Sequence, residues 1–168
     1  MNDRVVDVLA FLYEWRFSDN GAGGDPLLVD MDSVSAGLET AGFSEELAKG
    51  ALQWLGELDQ IETLGFLEPK CESEDPAVGV QRSYTQEEVE VLGLSGCGTL
   101  LMLEEMGVLN ALQREIVIER VTALGMGPLD DNDLRWIILY VLRGRCGSES
   151  ASVWAETILF QNEWGFLH

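Results

Sequence analysis

The side chains best suited to chemistry in this sequence are carboxylates, which occur in short clusters. Adjacent glutamates stand at 45–46, 87–88 and 104–105, and residues 130–133 read DDND. Facing carboxylates can share acid–base work, but neighbours along a helix point in different directions. The 130–133 cluster could offer oxygens to a divalent cation, yet it lacks the glycine and distal glutamate of an EF-hand loop, and helix capping explains it better. We therefore predict neither a catalytic carboxylate nor a metal site.

The sequence offers no histidine placed to accept a proton in nucleophilic catalysis. A Ser/His/Asp or Cys/His system needs an imidazole to accept the proton of the nucleophile, and the single histidine is His168, the last residue. The two lysines, Lys49 and Lys70, stand in polar surroundings. The cysteines include no CxxC pair that would indicate a zinc knuckle or a redox dithiol: Cys71, Cys97 and Cys146. The sequence therefore predicts no enzymatic activity and no cofactor.

Charge decides which partners the chain can accept. The formal net charge is −20, and both halves are acidic, with 17 acids against 4 bases in residues 1–81 and 13 against 6 in residues 82–168. Such a surface repels phosphate backbones and anionic lipids, and the densest apolar run, Trp136–Leu142, is far shorter than a membrane span. Solubility alone can explain the charge; the functional alternative is a basic protein partner. We expect neither nucleic acid nor a membrane as a partner.

The first half of the sequence predicts an N-terminal helical lobe over residues 1–68. Apolar residues recur at three- and four-residue steps over 3–16, and the acids within this segment argue against a signal peptide, so we expect a cytoplasmic protein. A brief helix over 33–40, a Gly-Phe turn and a helix over 44–58 give a helix-turn-helix outline. The first lobe therefore resembles a winged helix in outline.

A linker or wing over residues 69–83 separates this lobe from a C-terminal helical bundle over residues 84–168. Apolar stretches at 61–67 and 78–84 could pair as a small β-hairpin, although their alternation is poor. In the bundle, Thr85 followed by Glu88 has the capping-box pattern. The predicted fold class is mostly α, with two lobes.

Two predicted helices with a shared apolar surface, over residues 109–142, form the centre of the bundle. Asn110 can cap the first helix and Asp130 the second. Arg120 falls inside the apolar arc of the first helix, where an unpaired charge is costly, so we expect an acid of another helix to pair with it. Asp133 and Glu119 are the candidate partners.

Four aromatic residues are the remaining candidates for structural or interaction roles. Trp54 lies on the inward stripe of the 44–58 helix, and Trp136 widens the apolar surface of the helix after Asp130. Trp164 and Phe166 lie in an apolar tail that follows a predicted helix from Ser148 or Ser150 to about Gln161. The tail can pack on the core or anchor a partner.

Several segments, in order along nearly the whole chain, share the pattern of one bacterial family. They are AGF (41–43), ALQWLGEL (51–58), SYTQEE (83–88), GVLN (107–110), REIVIERVTAL (114–124), DLRWIILYVL (133–142) and GFLH (165–168). In these segments the chain resembles the Smg proteins. The resemblance implies no catalytic residue to carry over. The genes of the family often lie near those of DNA-processing proteins, which implies a setting related to nucleic acid.

Three functional hypotheses follow. We favour a non-enzymatic, acidic adaptor or regulator that works through contacts with another protein. A degenerate winged-helix regulator associated with DNA is the second, and a continuous positive strip that includes Lys49 and Arg82 would support it. A small enzyme with a carboxylate-bound metal near residues 130–133 is the third and has the least support.

Overall fold

The computed structural model describes residues 4–17, 31–63, 82–125, 127–143 and 157. Its chain divides into two compact units, residues 1–60 and 61–168. In the described ranges, every regular element longer than one residue is a helix. The six helices are α1 (Val5–Phe17), α2 (Met31–Thr40), α3 (Glu45–Thr63), α4 (Gln86–Glu105), α5 (Ala111–Ala123) and α6 (Asp131–Arg143). The prediction of a mostly helical protein is confirmed.

The first unit takes its core from the apolar stripes that the sequence predicts on α1 and α3, and from α2, where Val34 and Leu38 are buried. Val8, Leu9 and Leu38 are fully buried, and Trp54 is buried on α3. The turn between α2 and α3 depends on Gly42, whose φ of 90° favours glycine. This turn places the Phe43 ring 5.5 Å from that of Phe11, so that α1 and the turn share one apolar contact.

Helix α3 is longer than the sequence predicts. Ser44 caps it as expected, since its Oγ accepts a hydrogen bond from the Leu47 amide at 3.4 Å. The helix continues past residue 58 to Thr63, so Ile61 is helical and does not begin a hairpin strand. Leu58 and Ile61 are one helical turn apart, and no glycine or proline separates them, which lets the helix propagate.

The predicted wing finds no support in the described residues. Residues 82–84, at the end of its second arm, have no regular structure, and no strand occurs in the described ranges. Apolar residues at 27–29 also predict a very short strand, which lies outside the described residues. The same holds for residues 64–81 and for the final helix and tail, apart from the helical Thr157. Trp164 and Phe166 are in that tail and lie outside the described residues as well. The proposed lobe boundaries therefore stay predictions.

In the second unit, both predicted N-caps of α4 and α5 are present. The Thr85 side chain accepts from the Glu88 amide while Glu88 accepts from the Thr85 amide, and Asn110 forms the same reciprocal box with Gln113. Gly107, with φ of 72°, ends α4 as expected. The turn between α4 and α5 is thus fixed at both sides by local hydrogen bonds.

Helix α4 breaks at Gly93, whose φ of 70° and ψ of 167° are open to glycine. The break leaves the Val91 carbonyl to accept a hydrogen bond from the Leu129 amide at 3.0 Å. Immediately after the break, Ser95 Oγ donates to Asp131 Oδ2 at 3.0 Å. These two bonds attach the middle of α4 to the start of α6.

Helices α4, α5 and α6 contact one another, and α6 is buried on all sides from Trp136 to Leu142, as predicted. The sequence predicts an apolar arc on α5 that includes Leu112 and Ala123, and this arc needs correction at both ends. Leu112 is 40% exposed and Ala123 is exposed, whereas Gln113 and Arg114 are buried. Apolar periodicity favours Leu112, whereas the structure buries Arg114 in ion pairs with Glu104 and Glu115.

Candidate functional site

A connected group of charged side chains lies where residue 82 meets α4 and α5. Arg82 makes a two-pronged ion pair with Glu88, from Nη1 to Oε2 and from Nη2 to Oε1, both at 2.8 Å. Its Nε lies 2.6 Å from Glu115 Oε1, and its Nη2 donates to Glu115 Oε2 at 3.0 Å. The planar guanidinium thus joins the first turn of α4 to the middle of α5.

A second arginine extends this group. Arg114 Nη1 donates to Glu104 Oε2, and its Nε and Nη2 donate to Glu115 Oε1 at 3.2 and 3.1 Å. Glu115 therefore bridges both arginines. We call these five residues, Arg82, Glu88, Glu104, Arg114 and Glu115, the arginine–glutamate clamp. Its formal charge is −1, from two cations and three anions, so each cation is neutralised inside the clamp.

The local fold explains why Glu88 faces Arg82. As the third helical residue of α4, Glu88 turns back to accept from the Thr85 amide at 2.8 Å, which directs its carboxylate toward residue 82. The Arg82 hydrogen bonds, followed by that of the Thr85 amide, lower the pKa of Glu88 to about 2. The same pair raises the pKa of Arg82. Glu88 is therefore ionised near neutral pH and is a poor proton acceptor.

Tyr84 and Cys97 are the potentially reactive neighbours of the clamp. The Arg82 guanidinium carbon lies 5.2 Å from the centre of the Tyr84 ring, a cation–π distance. Burial raises the pKa of the Tyr84 hydroxyl, and burial together with the nearby Glu88 charge raises the pKa of the Cys97 thiol. Both groups are held in their neutral forms, which weakens Cys97 as a nucleophile.

The clamp was missed in the sequence because its members are far apart in the chain. Arg82 and Glu88 flank the predicted cap, and Arg114–Glu115 lies inside a predicted apolar helix. One feature of the sequence could have indicated these ion pairs: the 31 residues between Arg82 and Arg114 include no Lys or Arg. Scarce cations next to a predicted core favour ion pairing with nearby glutamates.

The residues chosen from the sequence occupy separate places. Arg120 is 4% exposed and donates to Glu119 from Nε at 2.9 Å and from Nη2 at 2.6 Å, so this partner lies on its own helix. Asp133 is buried, and its amide donates to Asp130 Oδ1 at 2.8 Å, which makes Asp130 the cap of α6. Trp136 is buried in α6, and Trp54 is buried in the first unit.

The described ranges contain neither a cluster of metal-ligating side chains nor a helix that could span a membrane. No group of three or more His, Cys, Asp or Glu residues there could hold a metal ion. At the DDND cluster, Asp130 serves as a cap and Asp131 accepts the Ser95 hydroxyl. None of the described helices combines the length and the apolar character that crossing a bilayer requires.

The exposed side of α3 is the other surface relevant to function. Glu45, Glu46 and Lys49 are exposed, and Lys49 Nζ lies 2.6 Å from Glu45 Oε1. This pair lowers the pKa of Glu45 and raises the pKa of Lys49. The cation that a DNA-reading helix would offer thus lies beside a carboxylate of its own helix, in an exposed pair of little strength.

Comparison with known proteins finds relatives over the full length of the chain. The family model described as "Protein of unknown function (DUF494)" matches residues 5–168. A "Protein Smg homolog" of Stenotrophomonas maltophilia is 37% identical over 168 residues, which cover all of both chains. A "Protein Smg" of Escherichia coli is 41% identical over 164 residues, 98% of this chain and 100% of that protein. No solved structure matches.

Proposed function

The chain belongs to the Smg family, and we propose that it acts as a non-enzymatic, acidic adaptor or regulator that binds a basic partner protein. The family itself is one of unknown function. The proposal therefore rests on this chain's own side chains and on how they are used.

One observation carries the proposal: the ionisable groups that converge in the second unit bind one another. The clamp uses both of its arginines to hold α4 against α5, and the low pKa of Glu88 keeps that carboxylate charged. These two cations are thereby used inside the fold, whereas Glu46, Glu87 and Glu105 are exposed. A surface of this kind attracts cationic proteins and accelerates their association.

A degenerate winged helix remains the second candidate, because α2 and α3 are separated by only the four residues 41–44. The charges around Lys49 and Arg82 argue against DNA binding. Lys49 is paired with Glu45, and Arg82 is paired with Glu88 and Glu115, so neither is available to a phosphate without breaking an ion pair. The metal-dependent enzyme has less support still, since capping accounts for Asp130.

Affinity purification with chemical crosslinking at native expression tests the adaptor proposal. We expect a stoichiometric partner with a basic surface, captured at low salt and released at high salt because screening weakens charge pairing. A parallel anisotropy titration with labelled duplex DNA should show no salt-dependent binding. The absence of a stoichiometric partner at low salt, or duplex binding that weakens as salt rises, would refute the proposal.

A further inference from the structure

The outward side of α4 after its break carries an apolar stripe that the described residues of its own unit leave largely exposed. Leu94 is 83% exposed and Met106 is 45% exposed; Gly98 is exposed, and Leu101 and Met102 are half-buried. At 3.6 residues per turn, Leu94, Gly98, Leu101 and Met102 fall within about 100° of the helix circumference, and Met106, the C-cap, borders this arc at its end. We call these five residues the α4 stripe. The opposite side, with Gly96, Leu100 and Leu103, is buried.

The α4 stripe has the dimensions of a helix-binding site. From residue 94 to residue 106 it extends about 18 Å, at 1.5 Å per residue, which matches about three turns of a second helix. A Cβ built on Gly98 would meet nothing within 4 Å, so the middle of the stripe is open and lacks a side chain. Methionines beside such a position adapt their shape to an incoming side chain.

Carboxylates stand at both ends of the stripe. Next to Leu94, Ser95 donates to Asp131, which is exposed, and next to Met106 stands the exposed Glu105. The Ser95 hydroxyl is a neutral donor, so it does not neutralise the charge of Asp131. The segment between Arg82 and Arg114 supplies no cation of its own, since it contains five glutamates and no Lys or Arg.

This charge decides between the possible occupants. A second copy of the chain would bring acidic ends against acidic ends, with a net charge of −20 on each molecule, and like charges at an interface oppose association. A helix with an apolar stripe and Lys or Arg about ten residues apart would instead place a cation near each carboxylate. Apolar anchors in the middle and charges at the rim are the usual arrangement of a helix-binding groove.

We infer that the α4 stripe is the docking surface for a cationic amphipathic helix of another protein. This inference rests on the proposed adaptor function and assigns the basic partner its site and its shape. Leu94 is the apolar anchor, Gly98 admits the partner backbone, and Asp131 and Glu105 fix the register of the cationic ends.

Two synthetic peptides of identical composition test the inference against the full-length chain. One places leucines at the i, i+3, i+4 and i+7 positions of a helix of about 18 residues, with lysines elsewhere; the other shuffles the same residues so that the leucines no longer share a side. Fluorescence anisotropy should show the patterned peptide bound at least about tenfold more tightly. Leu94→Ser should remove about that factor, whereas Leu112→Ser, at an exposed leucine outside the stripe, should leave the affinity unchanged.

The Gly98→Ala variant adds a readout that a merely unstable fold would not give. We expect it to weaken binding of the patterned peptide several-fold while the melting temperature stays the same or rises. Equal affinity of the two peptides, or full affinity after Leu94→Ser, would overturn the docking site. In that case salt-sensitive binding of both peptides would leave the adaptor proposal standing, so the two failures are distinguishable.

Sedimentation velocity and chemical denaturation test the other occupants. A dimer of the chain that Leu94→Ser dissociates would assign the stripe to a second copy and overturn the inference. A large loss of stability in Leu94→Ser would show that the chain itself covers the stripe, with the same consequence. We expect a monomer and an unchanged unfolding midpoint, because an exposed leucine contributes little to stability.

Discussion

At the residue scale, Glu88 shows how one side chain can serve both local and tertiary structure. Its carboxylate closes the capping box with Thr85 and also receives both prongs of Arg82. The side chains of Arg82 and Glu88 are 23% and 17% exposed, so the pair is partly shielded from water. A partly buried, two-pronged pair is stronger than an exposed ion pair.

The pKa of Glu88 makes its contribution to stability dependent on pH. A shift from 4.5 to about 2 corresponds to about 3 kcal/mol without solvent screening, and to about 1–2 kcal/mol with it. Because the folded pKa is the lower one, this stabilisation is complete above about pH 4.5 and is lost as the pH falls toward 2.

We therefore expect Glu88→Gln to be less stable than the wild type at neutral pH and to approach it in acid. Urea denaturation followed by tryptophan fluorescence measures the difference at each pH. It is best done at low protein concentration, because the isoelectric point is about 4.1. Glu87→Gln removes the same charge at an exposed neighbour and is the control. A Glu88→Gln deficit that does not change with pH would contradict the assigned pKa.

The contribution of Arg114 to stability should depend on its planar guanidinium group and not only on its positive charge. Its three nitrogens bond to Glu104 and Glu115 together, and an ammonium cannot reproduce that planar arrangement. Arg114→Lys should therefore lower the free energy of unfolding by about 1–2 kcal/mol. Lys49→Arg, which exchanges the same two cations at an exposed pair, should have no effect. Equal stability of the two variants would mean that the clamp acts only through net charge.

At the scale of elements, the helices and their caps were predictable because local chemistry determines them. Thr85, Asn110 and Asp130 each stand just before an apolar-periodic segment, and each caps the helix that follows. The break in α4 was not predictable, since Gly93, Gly96 and Gly98 look alike in sequence. In the structure Gly93 breaks the helix, Gly96 contacts α6, and Gly98 is open to solvent.

Substitution by alanine should destabilise the protein at the buried Gly96 and stabilise it at the exposed Gly98. A Cβ on Gly96 would lie 3.1 Å from Leu134 Cδ2, and Leu134 is itself buried. Overpacking there should outweigh the gain in helix propensity, for a net loss of about 1 kcal/mol. At Gly98 only the gain applies, and Ala should stabilise by about 0.5–1 kcal/mol. Thermal unfolding of the two single variants decides; equal shifts would contradict the close approach of α4 to α6.

Helix capping at Asp130 can be separated from metal binding. Asp130→Ala removes the acceptor of the Asp133 amide and should cost about 1 kcal/mol. Asp130→Ser restores a capping oxygen without a carboxylate and should recover most of that stability. Adding calcium or magnesium should leave the melting temperature of the wild type unchanged. A rise that saturates with the cation, and that Asp130→Ser abolishes, would instead indicate a metal site.

At the scale of the whole molecule, composition and periodicity predicted the helical class and the acidic character, but not the clamp. Periodicity ranks residues by polarity, so it placed Leu112 inside and left Arg114 unassigned, whereas the structure exposes Leu112 and buries Arg114. The burial of an arginine depends on where its acids arrive in three dimensions, and Glu104 is ten residues away. Such pairings are tertiary and have no local sequence signature.

The central proposal is that Arg82 and Arg114, in the part of the chain that the structure describes, are used in internal ion pairs and that the chain presents an acidic surface to a basic protein. Capture of partners from nuclease-treated lysate over a series of salt concentrations tests it most directly. We predict one stoichiometric basic partner that survives nuclease treatment and is released as salt rises. A partner that disappears after nuclease treatment, or one whose capture does not depend on salt, would contradict the account.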